Sequence, residues 1–230
     1  MANRPVFVSK QEYPYYNQIG VEFEFHTGFA LVQKQKSIAS LHRSFKEKYP
    51  KGQIIEISSK SPVLLGTRLS AFNIMYDLKG VEVSLESIFQ GSKVFEHGGP
   101  FHDIYKMGPV EAKKDPRIRE NGGIICFDLD GTLFQSEPKD FFYNWIYSKT
   151  IYSHKDLLEE LQEYDAFTDI EFNPQKSLNC QARTVAIIRG LMMAGDLEIA
   201  MKTPGDYLQR VYRVEENPKP QPTQLNLFSM

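Results

Sequence analysis

The segment 83–95 contains a glutamate, a glutamine and a lysine at helical spacing. Glu86, Gln90 and Lys93 follow the spacing i, i+4, i+7, so on a helix they fall within roughly 60° of one another. Ser84 can cap this helix by accepting a hydrogen bond from a backbone N–H of the first turn. A carboxylate, an amide and an amine would then share one stripe. That spacing is equally typical of a solvent-exposed helix face, and periodicity alone favours the exposed face.

Two basic segments precede this stretch. Ile38, Leu41 and Phe45 keep helical spacing among many lysines, which predicts a basic amphipathic helix whose Lys34 or Lys36 could face a polyanion. A predicted strand at 53–57 leads into Ser58, Ser59 and Lys60, where small residues let backbone N–H groups converge on an anion. Both segments also have ordinary structural interpretations, a surface helix and a turn.

A second acidic candidate lies in the apolar run 167–174. Asp169 and Glu171 interrupt this run, and an unpaired carboxylate would be costly there. They therefore either pair with basic residues or line a cleft. Asn179 and Arg183 follow within reach of one loop or helical face.

Several separated motifs together resemble a known family. The pattern E-x-x-x-Q-x-x-K at 86–93 resembles the signature helix of the NADAR family, whose members break N-glycosidic bonds to ribose in nucleotide-derived substrates. Leu69–Asn73, the basic Ala112-Lys113 with Arg117, and Asn179–Arg183 are similar to further family elements. The segments 33–42, 56–62 and 167–174 resemble the branch encoded beside DarT-type toxins. The resemblance covers about residues 1–208.

This resemblance implies an antitoxin that removes ADP-ribose from guanine bases in DNA, reversing a DarT-type toxin. It implies ADP-ribosylated DNA as substrate, and neither a metal nor a cofactor is expected. Glu86 would stabilise positive charge at the anomeric carbon, and Asp169 would be a second carboxylate. Either Lys36 or Lys93 could act through a Schiff base, and the sequence leaves this choice open. The implied substrate contacts are Ser58, Ser59, Lys60, Gln90, Asn179 and Arg183.

A competing motif lies at 123–133. Asp128 and Asp130 within D-x-D-G-T are similar to the first motif of haloacid-dehalogenase-type magnesium phosphatases. That motif normally opens its domain, whereas here about half the chain precedes it, and no later acidic pair completes a magnesium site. We therefore predict a strand followed by a D-G turn.

The end of the sequence predicts a partner-binding tail. A proline-rich spacer at 217–223 precedes Gln224, Leu225, Leu227 and Phe228, which resemble the Q-L-x-L-F peptide that grips the bacterial sliding clamp. A non-catalytic module that binds the clamp or the toxin is accordingly a third hypothesis.

Composition sets the wider expectations. The 230 residues carry a net charge of −2, so any DNA contact must use a local basic patch. Two cysteines, without a leader or a membrane-length apolar run, favour the cytoplasm. We expect a mainly helical α+β single domain at 1–212, comprising an N-terminal extension with strands (1–52) and a core (53–212). The tail would span 213–230.

Overall fold

The computed structural model describes residues 1–214, which form an α+β fold in one domain. Its main sheet has four strands in the order β2-β1-β9-β3. β1 (Ala2–Ser9) and β2 (Tyr16–Phe23) form an antiparallel hairpin, and β9 (Ala166–Thr168) joins β1 to β3 (Ile54–Glu56). The N-terminal hairpin therefore shares a sheet with a strand from far along the chain.

Two smaller sheets surround the segment that carries Glu86. β4 (Met75–Leu78) and β5 (Val81–Ser84) form a hairpin, and β5 leads directly into helix α3 (Leu85–Gly91). The second sheet has the order β6-β7-β8, with β6 at Lys93–Phe95, β7 at Ile124–Leu129 and β8 at Thr132–Gln135. The helix is therefore fixed by one sheet at each of its ends.

The remaining helices cover and fill these sheets. α1 spans Leu31–Lys48, α2 Leu64–Arg68, α4 Pro109–Lys114 and α5 Arg117–Glu120, with a 3₁₀ helix at His102–Lys106. α6 spans Phe141–Ser153, α7 Lys155–Leu161, α8 Gln181–Ala194, α9 Leu197–Ala200 and α10 Pro204–Tyr207, and a π-helix follows at Leu208–Tyr212. None of the helices among residues 1–214 has the length and apolar character needed to cross a bilayer.

Apolar side chains build the core where the patterns predict them. Ile38, Leu41 and Phe45 are buried on the inner face of α1. The sequence pattern predicts a helix that begins at Pro138, whereas α6 begins at Phe141; its Phe142 and Trp145 are buried and pack the core. α8 is buried along most of its length. α6 packs against α3 and α8, and α8 packs against β9, so these two helices support the elements that carry Glu86 and Asp169.

Some boundaries differ from the sequence-based predictions. The alternating pattern at 21–25 predicts a strand, but β2 ends at Phe23 and begins as early as Tyr16, because it pairs with all of β1. The basic segment 106–119 is divided between a 3₁₀ helix and two short α-helices, separated by Gly108 and Asp115-Pro116. The proposed clamp-binding residues Gln224, Leu225, Leu227 and Phe228 lie outside the described residues.

The prediction that Lys93 lies on the same helix as Glu86 is wrong. α3 ends at Gly91, and Lys93 begins β6, where it pairs with Phe127 of β7. A Cβ atom on Gly91 would lie 2.6 Å from the Tyr105 ring, so only glycine allows the 3₁₀ helix to pack this closely at the helix end. The side chains of Glu86, Gln90 and Lys93 nevertheless meet.

Candidate active site

Three side chains form a hydrogen-bonded chain at the C-terminal side of β5. Ser84 caps α3 by accepting a hydrogen bond from the Ser87 N–H at 3.2 Å, as predicted. Gln90 Nε2 donates to Glu86 Oε1 at 2.9 Å, and Lys93 Nζ donates to Gln90 Oε1 at 2.6 Å. Glu86 and Gln90 are each only 5% exposed, so this stripe is not a solvent-exposed helix face.

Burial changes the acid–base chemistry of Lys93. Loss of hydration and the nearby Lys113 lower the pKa of Lys93, Glu86 raises it, and the net result is a pKa of about 8. The amine also lies 4.5 Å from the centroid of the Phe89 ring. With such a pKa, roughly one amine in four is neutral at pH 7.5, and the neutral amine is the nucleophilic form.

A second carboxyl group lies just beyond β9. Asp169 is 7% exposed; its Oδ1 accepts from the Glu171 N–H at 3.0 Å and its Oδ2 from Gln181 Nε2 at 3.2 Å. Burial, followed by the charge of Glu56, raises the pKa of Asp169 to about 7. A carboxyl group with this pKa can both give and take a proton near neutrality.

Glu56, at the end of β3, is a fully buried carboxyl group behind this site. It accepts hydrogen bonds from Ser58 Oγ at 2.7 Å, from Thr168 Oγ1 at 2.6 Å and from the Ile170 N–H at 2.8 Å. Burial raises its pKa despite these donors. Two carboxyl groups that both resist ionisation therefore lie side by side at the carboxyl ends of the parallel strands β3 and β9.

Glu86, Gln90, Lys93 and Asp169 line one cleft of about 940 Å³. It is large enough for a nucleotide-sized ligand. Of the predicted site residues, the structure brings together in its lining Ser58, Ser59, Lys60, Glu86, Gln90, Lys93, Asp169 and Asn179.

Two predicted site residues are not part of this lining. Lys36 is exposed on the outer face of α1, whereas the neighbouring Lys34 forms an ion pair at 2.9 Å with Glu171 at the edge of the cleft. Arg183 donates from Nη2 to Asp140 Oδ2 at 2.6 Å and to the Leu178 carbonyl at 2.8 Å. It thereby ties the start of α8 to the start of α6.

The cleft also contains residues that were not selected from the sequence. Lys113 Nζ lies 4.0 Å from Glu86 Oε1 and 5.1 Å from the centroid of the Phe72 ring. Gln181 links Asp169 to the Ala71 N–H, which donates to its Oε1 at 2.6 Å. Aromatic side chains complete the walls: Phe72, Phe89, Phe127, Tyr143 and Phe172. Phe72 and Lys113 lie in the motifs quoted for the family resemblance. Their place in these motifs is the sequence signal that could have identified them as cleft residues.

The D-x-D-G-T motif forms the turn of the β7–β8 hairpin, as predicted. Asp128 Oδ1 accepts from the Gly131 N–H at 2.6 Å, Asp130 has a positive φ of 49°, and Asp130 forms an ion pair with Lys79. Within residues 1–214, no group of three or more His, Cys, Asp or Glu side chains is arranged to hold a metal ion. The hairpin gives these carboxylates a structural role in the turn.

The fold and the cleft thus define an α+β protein with a buried carboxylate–amide–amine site. The family model described as "DarT1-associated NADAR antitoxin" matches residues 2–221. The chain therefore belongs to this antitoxin family, which pairs it with a DarT toxin. The NADAR family is generally associated with hydrolase activity. No curated protein matches the chain.

The raised pKa of Asp169 predicts a specific dependence of stability on pH. Its folded-state pKa of about 7 exceeds the ordinary aspartate pKa of 3.8, so the folded protein holds an extra proton between these two pH values. The contribution of Asp169 to the free energy of unfolding is therefore fully present below pH 3.8 and is lost as the pH rises through about 7. We expect Asp169→Asn to remove this loss. Between pH 4 and pH 8, the free energy of unfolding of the variant should rise by on the order of 2 to 4 kcal/mol relative to that of the unchanged protein.

Urea unfolding at both pH values measures this difference directly. Glu12→Gln, at an exposed position on the loop after β1, is the control and should leave the pH dependence unchanged. If the free energies of unfolding of Asp169→Asn and of the unchanged protein change with pH in parallel, the prediction of a raised pKa for Asp169 is contradicted.

Proposed function

We propose that this antitoxin is a hydrolase that releases ADP-ribose from guanine bases in DNA. The observation that carries the proposal is the buried chain of Glu86, Gln90 and Lys93 in a cleft of nucleotide size. It joins a carboxylate, which stabilises positive charge on a sugar, to an amine that is partly neutral near pH 8. Membership of an antitoxin family paired with a DarT toxin supports this choice of substrate.

In this proposal, the reaction begins with opening of the ribose ring. The bond between C1″ and O4″ breaks, O4″ takes a proton, and C1″ becomes an iminium carbon bonded to the exocyclic nitrogen of guanine. Glu86 stabilises the positive charge. Asp169 is the proposed proton donor to O4″, because its pKa of about 7 leaves much of it protonated at neutral pH.

Lys93 then exchanges places with guanine. Its neutral Nζ adds to C1″, a proton passes from Nζ to the guanine nitrogen, and guanine leaves with its amino group restored. Water, activated by Glu86, adds to the resulting Lys93 iminium at C1″. The carbinolamine releases the lysine amine, and the aldehyde closes to free ADP-ribose, so one water is consumed for each bond broken.

Lys93 rather than Lys36 is our proposed nucleophile. Lys93 lines the cleft and donates a hydrogen bond to Gln90, which in turn donates to Glu86, whereas Lys36 is exposed on α1. Ser58, Ser59, Lys60 and Lys113 are the proposed contacts of the diphosphate, since hydroxyl, backbone N–H and ammonium groups suit an anion.

A direct assay tests the proposed function. The purified chain is incubated with an oligonucleotide that carries ADP-ribose on guanine, and the products are identified by mass spectrometry. We expect free ADP-ribose and an unmodified oligonucleotide, without dependence on added metal. An intact substrate after prolonged incubation would contradict the proposal.

We also propose that the tail binds the sliding clamp, on the evidence of the sequence at 224–228 alone. Deleting residues 224–230 should leave turnover of a free oligonucleotide within about twofold and weaken binding to purified clamp at least about tenfold. Calorimetric titration against the clamp measures the second effect. Unchanged clamp affinity after deletion, or no affinity in the full chain, would contradict this assignment.

A further inference from the structure

The side-chain oxygen of Asn179 is buried in the cleft wall without a partner. Asn179 lines the cleft just before α8. Within residues 1–214, its Oδ1 is one of three buried side-chain nitrogen or oxygen atoms that have no hydrogen-bond partner. A buried acceptor left unpaired costs free energy, so an exception of this kind calls for an explanation. A ligand that donates a hydrogen bond at this point would supply the missing partner.

The other amides of the cleft are already engaged by the protein. Gln90 donates from Nε2 to Glu86 and accepts at Oε1 from Lys93. Gln181 accepts from the Ala71 N–H and donates to Asp169. Among the cleft amides within residues 1–214, Asn179 is therefore the one whose oxygen remains open for substrate.

The chemistry of the substrate limits what can satisfy this oxygen. Ionised phosphates have no proton to donate, so the diphosphate cannot be its partner. Ribose hydroxyls and the N–H groups of a base can donate. A primary amide offers one acceptor beside one donor, which matches the adjacent N1–H and O6 of guanine in a bidentate pair.

The position of Asn179 favours the linked guanine over the adenine of ADP-ribose. Asn179 lies two residues before Gln181, whose amide is 3.2 Å from Asp169. Two residues of chain span at most about 7 Å, so Asn179 lines the side of the cleft on which Gln181 holds Asp169, the proposed proton donor for the reaction at the C1″ carbon. Guanine is bonded directly to that carbon, whereas the adenine lies beyond two sugars and the diphosphate. Phe172 and Leu178 line the same part of the cleft and offer apolar surface to a planar base.

We infer that Asn179 recognises guanine, its Oδ1 accepting from N1–H while its Nδ2 donates to O6. The inference rests on the proposed function and makes this part of the cleft a purine subsite. It explains why the oxygen is unpaired without substrate, and it assigns base selectivity to a single amide.

The test compares two nucleosides that carry ADP-ribose on the same exocyclic nitrogen. One contains guanine and the other 2-aminopurine, which lacks both O6 and N1–H. We expect the unchanged protein to have a kcat/KM about 10- to 100-fold higher for the guanine compound. Asn179→Ala should lower the guanine value to near that of 2-aminopurine, collapsing the ratio. Asn17→Ala, at an exposed position on β2, should behave like the unchanged protein.

Each outcome has a distinct meaning. A variant that slows both compounds equally and keeps the original ratio would overturn the inference, because Asn179 would then contact the ribose or the adenine, or only support the fold. Failure of the unchanged protein to release ADP-ribose from either compound would instead contradict the proposed function. If Asn179→Ala does not fold, Asn179→Leu keeps a similar size and removes both the acceptor for N1–H and the donor to O6. Its ratio should also collapse, and an unchanged ratio would overturn the inference.

Discussion

Replacing Glu86 with glutamine is expected to abolish release of ADP-ribose while leaving the protein folded. Glutamine has nearly the same shape and can still hydrogen-bond with Gln90, but it carries no negative charge to stabilise a sugar cation. We expect kcat to fall about 10³-fold, within the range for loss of a catalytic carboxylate. Release of ADP-ribose from the modified oligonucleotide, followed by mass spectrometry, measures the effect.

The control for this variant is Glu82→Gln. Glu82 is an exposed glutamate on β5, four residues earlier, so its loss changes the net charge equally without altering the cleft. Matching melting temperatures for the two variants would show that the fold is intact. Full activity of Glu86→Gln would remove Glu86 from the mechanism.

Lys93 should be the residue that becomes covalently attached to substrate. Borohydride reduces an iminium to a stable secondary amine, so its addition during turnover should leave ADP-ribose on the peptide that contains Lys93. Lys93→Met should give no adduct and lose about 10²- to 10⁴-fold in turnover. Peptide mass mapping identifies the attached residue.

Two further lysine variants make this experiment decisive. Lys114→Met, at an exposed position of α4 outside the cleft lining, is the matched control and should keep both the adduct and the activity. Lys36→Met addresses the rival lysine and should also keep the adduct. An adduct on Lys36, or an adduct that persists in Lys93→Met, would show that Lys93 is not the nucleophile.

Local spacing was sufficient to place Glu86 and Gln90 on one face of a helix, whereas the family resemblance was needed to propose them as site residues. The i, i+4 relation of Glu86 and Gln90 and the cap at Ser84 are properties of one short helix, so periodicity could identify them. The apolar surroundings of Asp169 likewise predicted that it would pair or line a cleft, and it lines the cleft. Lys93 was placed on the wrong element because periodicity does not show where pairing with another strand ends a helix.

The rest of the site depends on contacts between distant parts of the chain. Glu56 and Asp169 are 113 positions apart and become neighbours only because β3 pairs with β9. Gln181 reaches Asp169 and Ala71 from a third element, and Lys113 reaches Glu86 from α4. No local pattern in one sequence specifies such contacts, and the same limit explains why Lys36 could not be separated from Lys93.

The position of the anomeric carbon in a bound substrate tests the central claim most directly. A crystal structure of Glu86→Gln with guanosine that carries ADP-ribose would show that position in an uncleaved complex. We predict C1″ within about 3.5 Å of Lys93 Nζ and in contact with the side chain at residue 86. A ribose bound away from both residues, with Lys93 still hydrogen-bonded to Gln90, would contradict the account.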